Sequence, residues 1–106
     1  MKKLTYDDII YRIGYFRNQN KLSARETSLR LGYSDSFMNR IERKNNELKV
    51  STLMNFMELV NITPEEFFYS NLENYEKDKE LLDLILSLSN NDKDVLLEIA
   101  KRLNKK

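Results

Sequence analysis

The 106-residue chain has no cysteine and no histidine. Without cysteine there is no disulfide framework and no thiol chemistry. Without histidine the usual general base, the commonest metal ligand and the usual proton shuttle are missing. Two glycines and one proline are too few for a turn-rich β-sandwich or a disordered linker protein. No glycine-rich loop is present to cradle a phosphate. No apolar run approaches the ~20 residues that span a bilayer, and no signal-peptide pattern is present. These absences point away from an enzyme, a metal site, a cofactor and a membrane, and make a cytoplasmic protein the default expectation.

What remains is charge and apolar periodicity. Charged residues make up 33% and apolar residues 41%, an ordinary globular composition. The formal net charge is only +1, but it is unevenly spread. Residues 1–50 hold 11 Lys/Arg and 6 Asp/Glu, whereas residues 51–106 hold 7 and 11. A positive half of this kind suits phosphate, although solvated charged faces give the same asymmetry.

Every long segment reads as helix. Ile9, Ile10, Ile13 and Phe16 recur at helical spacing from Tyr6 to Phe16. Ser23 and Glu26 form a capping-box pattern that opens a helix over 24–31, closed by Gly32 in a left-handed turn. Ser34 is then the expected cap of a helix over 35–43. A polar loop follows over 44–49. Val50, Leu53, Met54, Met57 and Val60 share one stripe of a helix over 50–60, with Phe56 and Leu59 off it. Asn61 suits its left-handed end. Thr63, Pro64 and Glu66 supply an N-cap, an N1 proline and an N3 glutamate for a short helix over 64–69. Helices over 75–88 and 92–103 complete the chain, separated by Ser89, Asn90 and Asn91. No strand alternation appears, so the expected class is all-α.

On a helical wheel, Met38 and Ile41 share one side of the 35–43 helix. Ser36, Asn39, Arg40 and Arg43 lie roughly opposite, with Asp35 and Phe37 at the edges. Arginine, asparagine and serine suit base edges and phosphates, but any surface helix has a polar face. The preceding short helix and its glycine turn make a helix-turn-helix pattern. Ser28 is small enough to let the two helices approach. Leu31, Met38 and Ile41 would lock their crossing. Arg17 lies beside the first apolar stripe and Glu42 on the Met38/Ile41 side. Two unpaired core-facing charges are costly, so the two are expected to pair.

From Leu22-Ser23-Ala24-Arg25-Glu26, through Leu31-Gly32-Tyr33-Ser34 and Met38-Asn39-Arg40-Ile41-Glu42, to Ile62-Thr63-Pro64-Glu65-Glu66-Phe67, the chain resembles the lambda-repressor-like, Cro/repressor (XRE-type) helix-turn-helix family. The resemblance covers about residues 9–68. It implies a five-helix DNA-binding domain over 1–69 whose third helix enters the major groove of a palindromic operator. Asp35, Ser36, Asn39 and Arg40 become candidate base contacts. Arg25, Ser34, Arg43, Lys44, Asn45 and Asn46 become candidate contacts to the DNA backbone. An Arg–Glu bridge between first and third helices recurs in the family at the positions of Arg17 and Glu42. The chain departs from the family pattern at Ala24, where a glutamine is common, and at Thr27 and Ser28. It departs again at Lys44, where glycine is common, so that Asn45 becomes the candidate for the left-handed turn, and at Leu48 in place of proline.

Residues 70–106 lie outside this resemblance. Leu81, Leu84, Ile85 and Leu88 form one stripe, and Val95, Leu96, Ile99 and Leu103 another. Leu82, Leu86 and Leu97 fall off these stripes. That is more apolar surface than two helices bury against each other, so this hairpin is expected both to complete the core and to form a two-fold interface through Leu82, Leu86 and Leu97. The expected function is a sequence-specific, dimeric transcriptional repressor that binds double-stranded DNA. The alternative is an antitoxin-like or interaction module whose hairpin captures a partner protein.

Overall fold

The computed structural model describes residues 3–105, and the described chain is all-helical, with no strand. It divides into two compact units, one ending at Leu72 and one starting at Glu73. The first unit holds α1 (Tyr6–Gln19), α2 (Ala24–Arg30), α3 (Phe37–Glu42), α4 (Val50–Leu59) and α5 (Pro64–Phe67). One turn of 3-10 helix, Leu72–Asn74, spans the boundary. The second unit holds α6 (Tyr75–Leu86) and α7 (Asn90–Leu103). Among the described residues no helix is long and apolar enough to cross a membrane.

Local chemistry explains where the helices begin. Thr5 accepts from the Asp8 N–H, and the Asp8 carboxylate accepts from the Thr5 N–H, a reciprocal capping box at α1. Ser23, Thr63 and Ser89 each accept from the N–H three residues on, opening α2, α5 and α7. The box expected at Ser23 is only half made, because the Glu26 carboxylate turns to Arg30, 3.6 Å away.

The helices end in a shared way despite the shortage of glycine. After α1, α2, α3 and α4 the chain turns through one left-handed residue: Lys21, Gly32, Lys44 and Asn61. In each case the next N–H reaches back to a carbonyl of the last turn: Leu22 to Arg17, Tyr33 to Ser28, Asn45 to Arg40, Ile62 to Met57. This is the Schellman closure, which satisfies carbonyls that a helix end leaves bare. Lysine takes the strained position after α3, not Asn45 as expected, because the closure places the left-handed residue immediately after the cap Arg43.

The buried core of the described chain is drawn wholly from the first unit. Ile10, Ile13 and Phe16 of α1 meet Met38 and Ile41 of α3, Leu53, Phe56 and Met57 of α4, and Phe67 of α5. Leu72 packs against this cluster, so the first unit runs past Tyr69. The expected face of α4 is corrected in part, since Leu53, Met57 and Val60 of the expected stripe are buried. Val50 is 76% exposed and Met54 half exposed, whereas Phe56 is fully buried. Ser51, Asn55 and Glu58 form the exposed polar face of α4, and the buried side lies opposite them. That side includes buried Thr52, whose hydroxyl lies 3.3 Å from the Tyr33 hydroxyl.

Arg12 is buried in α1, and its Nη1 donates to the Phe67 carbonyl at 2.6 Å. Burial lowers its pKa, and the nearby Asp8 carboxylate opposes that shift. The group remains a cation that ties α1 to the end of α5.

No residue of α6 or α7 is buried. The expectation that these helices complete the core is therefore corrected. Asn90 and Asn91 lie inside α7, because Ser89 caps it, and α6 ends two residues short of Leu88.

Candidate nucleic-acid interface

The geometry of α2 and α3 is fixed by a serine. Ser28 is fully buried. Its hydroxyl donates to the Ala24 carbonyl at 2.9 Å and accepts from the Met38 N–H at 2.9 Å. It thus serves as a cap for α3 supplied from α2. The cap position of α3 itself, Ser36, makes no side-chain capping bond. Ser34 contributes its carbonyl, which accepts from the Phe37 N–H, and not the expected side-chain cap. The helix accordingly starts at Phe37, and Asp35 and Ser36 belong to the turn before it. Sequence reading valued Ser28 only for its size. Its paired bonds go further, because they set where the first turn of α3 sits. Ser28→Ala leaves the buried Met38 N–H without a partner and is expected to cost about 1–3 kcal/mol, read as a lower urea midpoint at unchanged m.

The inner side of α3 is anchored by Met38 and Ile41, both fully buried. Its hold on α1 is the pair Arg17–Glu42. Nε and Nη2 of Arg17 each donate to a Glu42 oxygen at 2.9 Å, and Nη1 donates to the Leu22 carbonyl at 2.9 Å. The hydrogen bond to Glu42 raises the Arg17 pKa, against a smaller opposing effect of burial. A Cβ on Gly14 would stand 3.1 Å from Oε1 of Glu42, so the glycine makes room for the carboxylate. The turn is stiffened by Tyr33 and Phe37, whose rings stack with centroids 3.9 Å apart.

The outer side of this region is open. Asn39 and Arg40 on α3 and Arg43 at its cap are exposed and make no side-chain hydrogen bond or ion pair among the described residues. Ser34 is exposed beside the turn, and Ser36 is half-buried. Asp35 is exposed and lies 3.7 Å from Arg25, so these two candidates face each other across the turn. Lys44 is held 2.9 Å from Asp7 at the start of α1. Asn45 and Asn46 are exposed, and their N–H groups close on the Arg40 carbonyl. The loop that carries them is tied to α1 by the Tyr6 hydroxyl, which accepts from the Leu48 N–H at 2.8 Å. Most of the candidate residues thus lie on the turn before α3, on α3 itself, or on the loop after it. Arg25 joins them from α2 through Asp35.

Leu82, Leu86 and Leu97 are exposed in the second unit, together with Leu81, Leu84 and Leu103. No group of acidic residues among those described is placed to hold a metal ion. Set against family models, curated proteins and solved structures, the chain matches none of them.

Proposed function

We propose that the protein is a sequence-specific DNA-binding regulator of transcription, acting as a dimeric repressor on a palindromic operator. The first unit is read as a lambda-repressor-like helix-turn-helix domain, with α3 as the reading helix. One observation carries this reading. A short helix is anchored from behind by Met38, Ile41 and Glu42 while Asn39, Arg40 and Arg43 stand unengaged on its outer side. Arginine forks onto guanine and asparagine onto adenine, so Asn39 and Arg40 read bases and Arg43 holds phosphate. The excess of Lys/Arg in residues 1–50 supports the same surface. Lys44 and Arg25 contribute less than Arg43, because each already faces a carboxylate. The second unit is the dimerising part. Repression follows from occupancy of a site that overlaps the promoter.

Selection of bound duplexes from a random pool tests the reading directly, and an inverted repeat is the expected result. On the selected site Arg40→Ala is expected to cost about 1–3 kcal/mol and to relax sequence preference. Arg43→Ala is expected to weaken all duplexes alike and to flatten the salt dependence by about one unit of slope. If both variants bind selected and random duplexes as the parent does, α3 is not the reader. An interaction module that captures a protein through apolar helices would instead bind its partner with little salt dependence.

A further inference from the structure

The second unit consists of two helices with no buried residue, which is not a self-sufficient arrangement. Helices of 12 and 14 residues are marginal in water unless an apolar face is packed. Ten apolar side chains from Leu81 to Leu103 are 36% to 80% exposed. Together they present roughly 1,000 Å² per chain, against the about 800 Å² that each partner contributes to a standard interface. Reaching that area takes leucines of α6 beside the arc of α7.

The charges of α7 indicate which molecule covers it. On a wheel of about 100° per residue, Asp92 falls within the arc of Val95, Leu96, Ile99 and Leu103, and Arg102 falls at its edge. Asp92 stands five residues before Leu97 and Arg102 five after it. Neither side chain has an ion-pair partner among the described residues. An antiparallel copy of α7, related by a two-fold axis that crosses the apolar arc midway between Val95 and Ile99, places each Asp92 opposite Arg102 of the second copy, and leaves Leu97 on the far side of the helix, outside this contact. The same operation covers the apolar arc with itself. The acidic start of one helix then lies beside the basic end of the other, which also sets the two helix dipoles antiparallel.

We propose that α6 and α7 form a homodimer interface in which α7 packs antiparallel on α7 of a second copy of this chain, with Asp92 and Arg102 as its reciprocal ion pair. This deepens the dimer part of the functional reading above. Its test uses the full chain without DNA, so either reading can fail alone.

Sedimentation equilibrium of the full chain at tens of micromolar is expected to give twice the mass of one chain. Asp92→Arg sets two arginines face to face across the axis, and Arg102→Asp sets two aspartates. Each is expected to raise the dimer dissociation constant by about tenfold or more. The double variant Asp92→Arg/Arg102→Asp reverses both charges and is expected to return to within about threefold of the parent. An equimolar mixture of the two single variants is expected to form heterodimers. A parent that sediments only as a monomer overturns the proposal, whatever other protein the helices bind. A dimeric parent whose single variants dissociate no more readily than it does overturns the antiparallel pairing. Far-UV circular dichroism of the single variants separates loss of pairing from loss of helix, and a double variant with full helix but no dimer also counts against the proposal.

Discussion

Arg17→Met is expected to lower the stability of the protein by about 3 kcal/mol. The reason is what the substitution leaves behind. Glu42 keeps a carboxylate that is only 19% exposed and loses both of its charged donors. The Leu22 carbonyl loses the Nη1 donor as well. Breaking a buried pair from one side leaves an uncompensated charge, which costs more than the pair contributes net. The thermal midpoint should fall by about 10–20 °C for a domain of this size. Replacing both partners with methionine should recover much of the loss, because no charge is then stranded. If Arg17→Met melts within about a degree of the parent, the pair does not hold α1 to α3. The effect should extend to binding, since Glu42 is the last residue of α3 and shares its anchoring side with Met38 and Ile41.

Phe56→Ala is expected to cost about 3–5 kcal/mol, and Val50→Ala on the same helix less than about 0.5 kcal/mol. Phe56 is fully buried in the cluster with Phe16, Ile41 and Met57, so truncation opens a cavity that a six-residue α3 and a four-residue α5 cannot close by sliding. Val50 at the first position of α4 is 76% exposed and loses almost no contact. Urea unfolding of the two variants, with equal m, separates them by several kcal/mol. Equal costs would mean that α4 buries the side read from its sequence.

That contrast marks where the sequence was legible. Helix positions followed from caps and from apolar spacing, because both act within a few residues. Gly32 and Asn61 announced their left-handed turns. The Arg17–Glu42 pair was readable because each charge sat on an otherwise apolar side. The inner side of α4 was read too close to Val50 and Met54, although exposed Ser51, Asn55 and Glu58 mark a polar face opposite Leu53, Phe56 and Val60. Ser28 and Arg12 were missed for a different reason. Their roles are bonds to Met38 and Phe67, and no local pattern reports a partner 10 or 55 residues away. The left-handed lysines were missed because lysine carries no turn signal. Of the candidate site, the outward residues of α3 came from the wheel, whereas the engagement of Arg25 with Asp35 and of Lys44 with Asp7 required three dimensions.

The six-residue length of α3 limits what can be done with it in isolation. Fewer than two turns cannot sustain themselves in water, and the first turn borrows its cap from Ser28 on another helix. A synthetic peptide copying residues 34–46 would carry Asn39, Arg40 and Arg43 in the right order and in no fixed shape. Transplanting the specificity of this protein into another scaffold therefore means moving the hydroxyl of Ser28 and the Arg17–Glu42 clamp along with the residues that face outward.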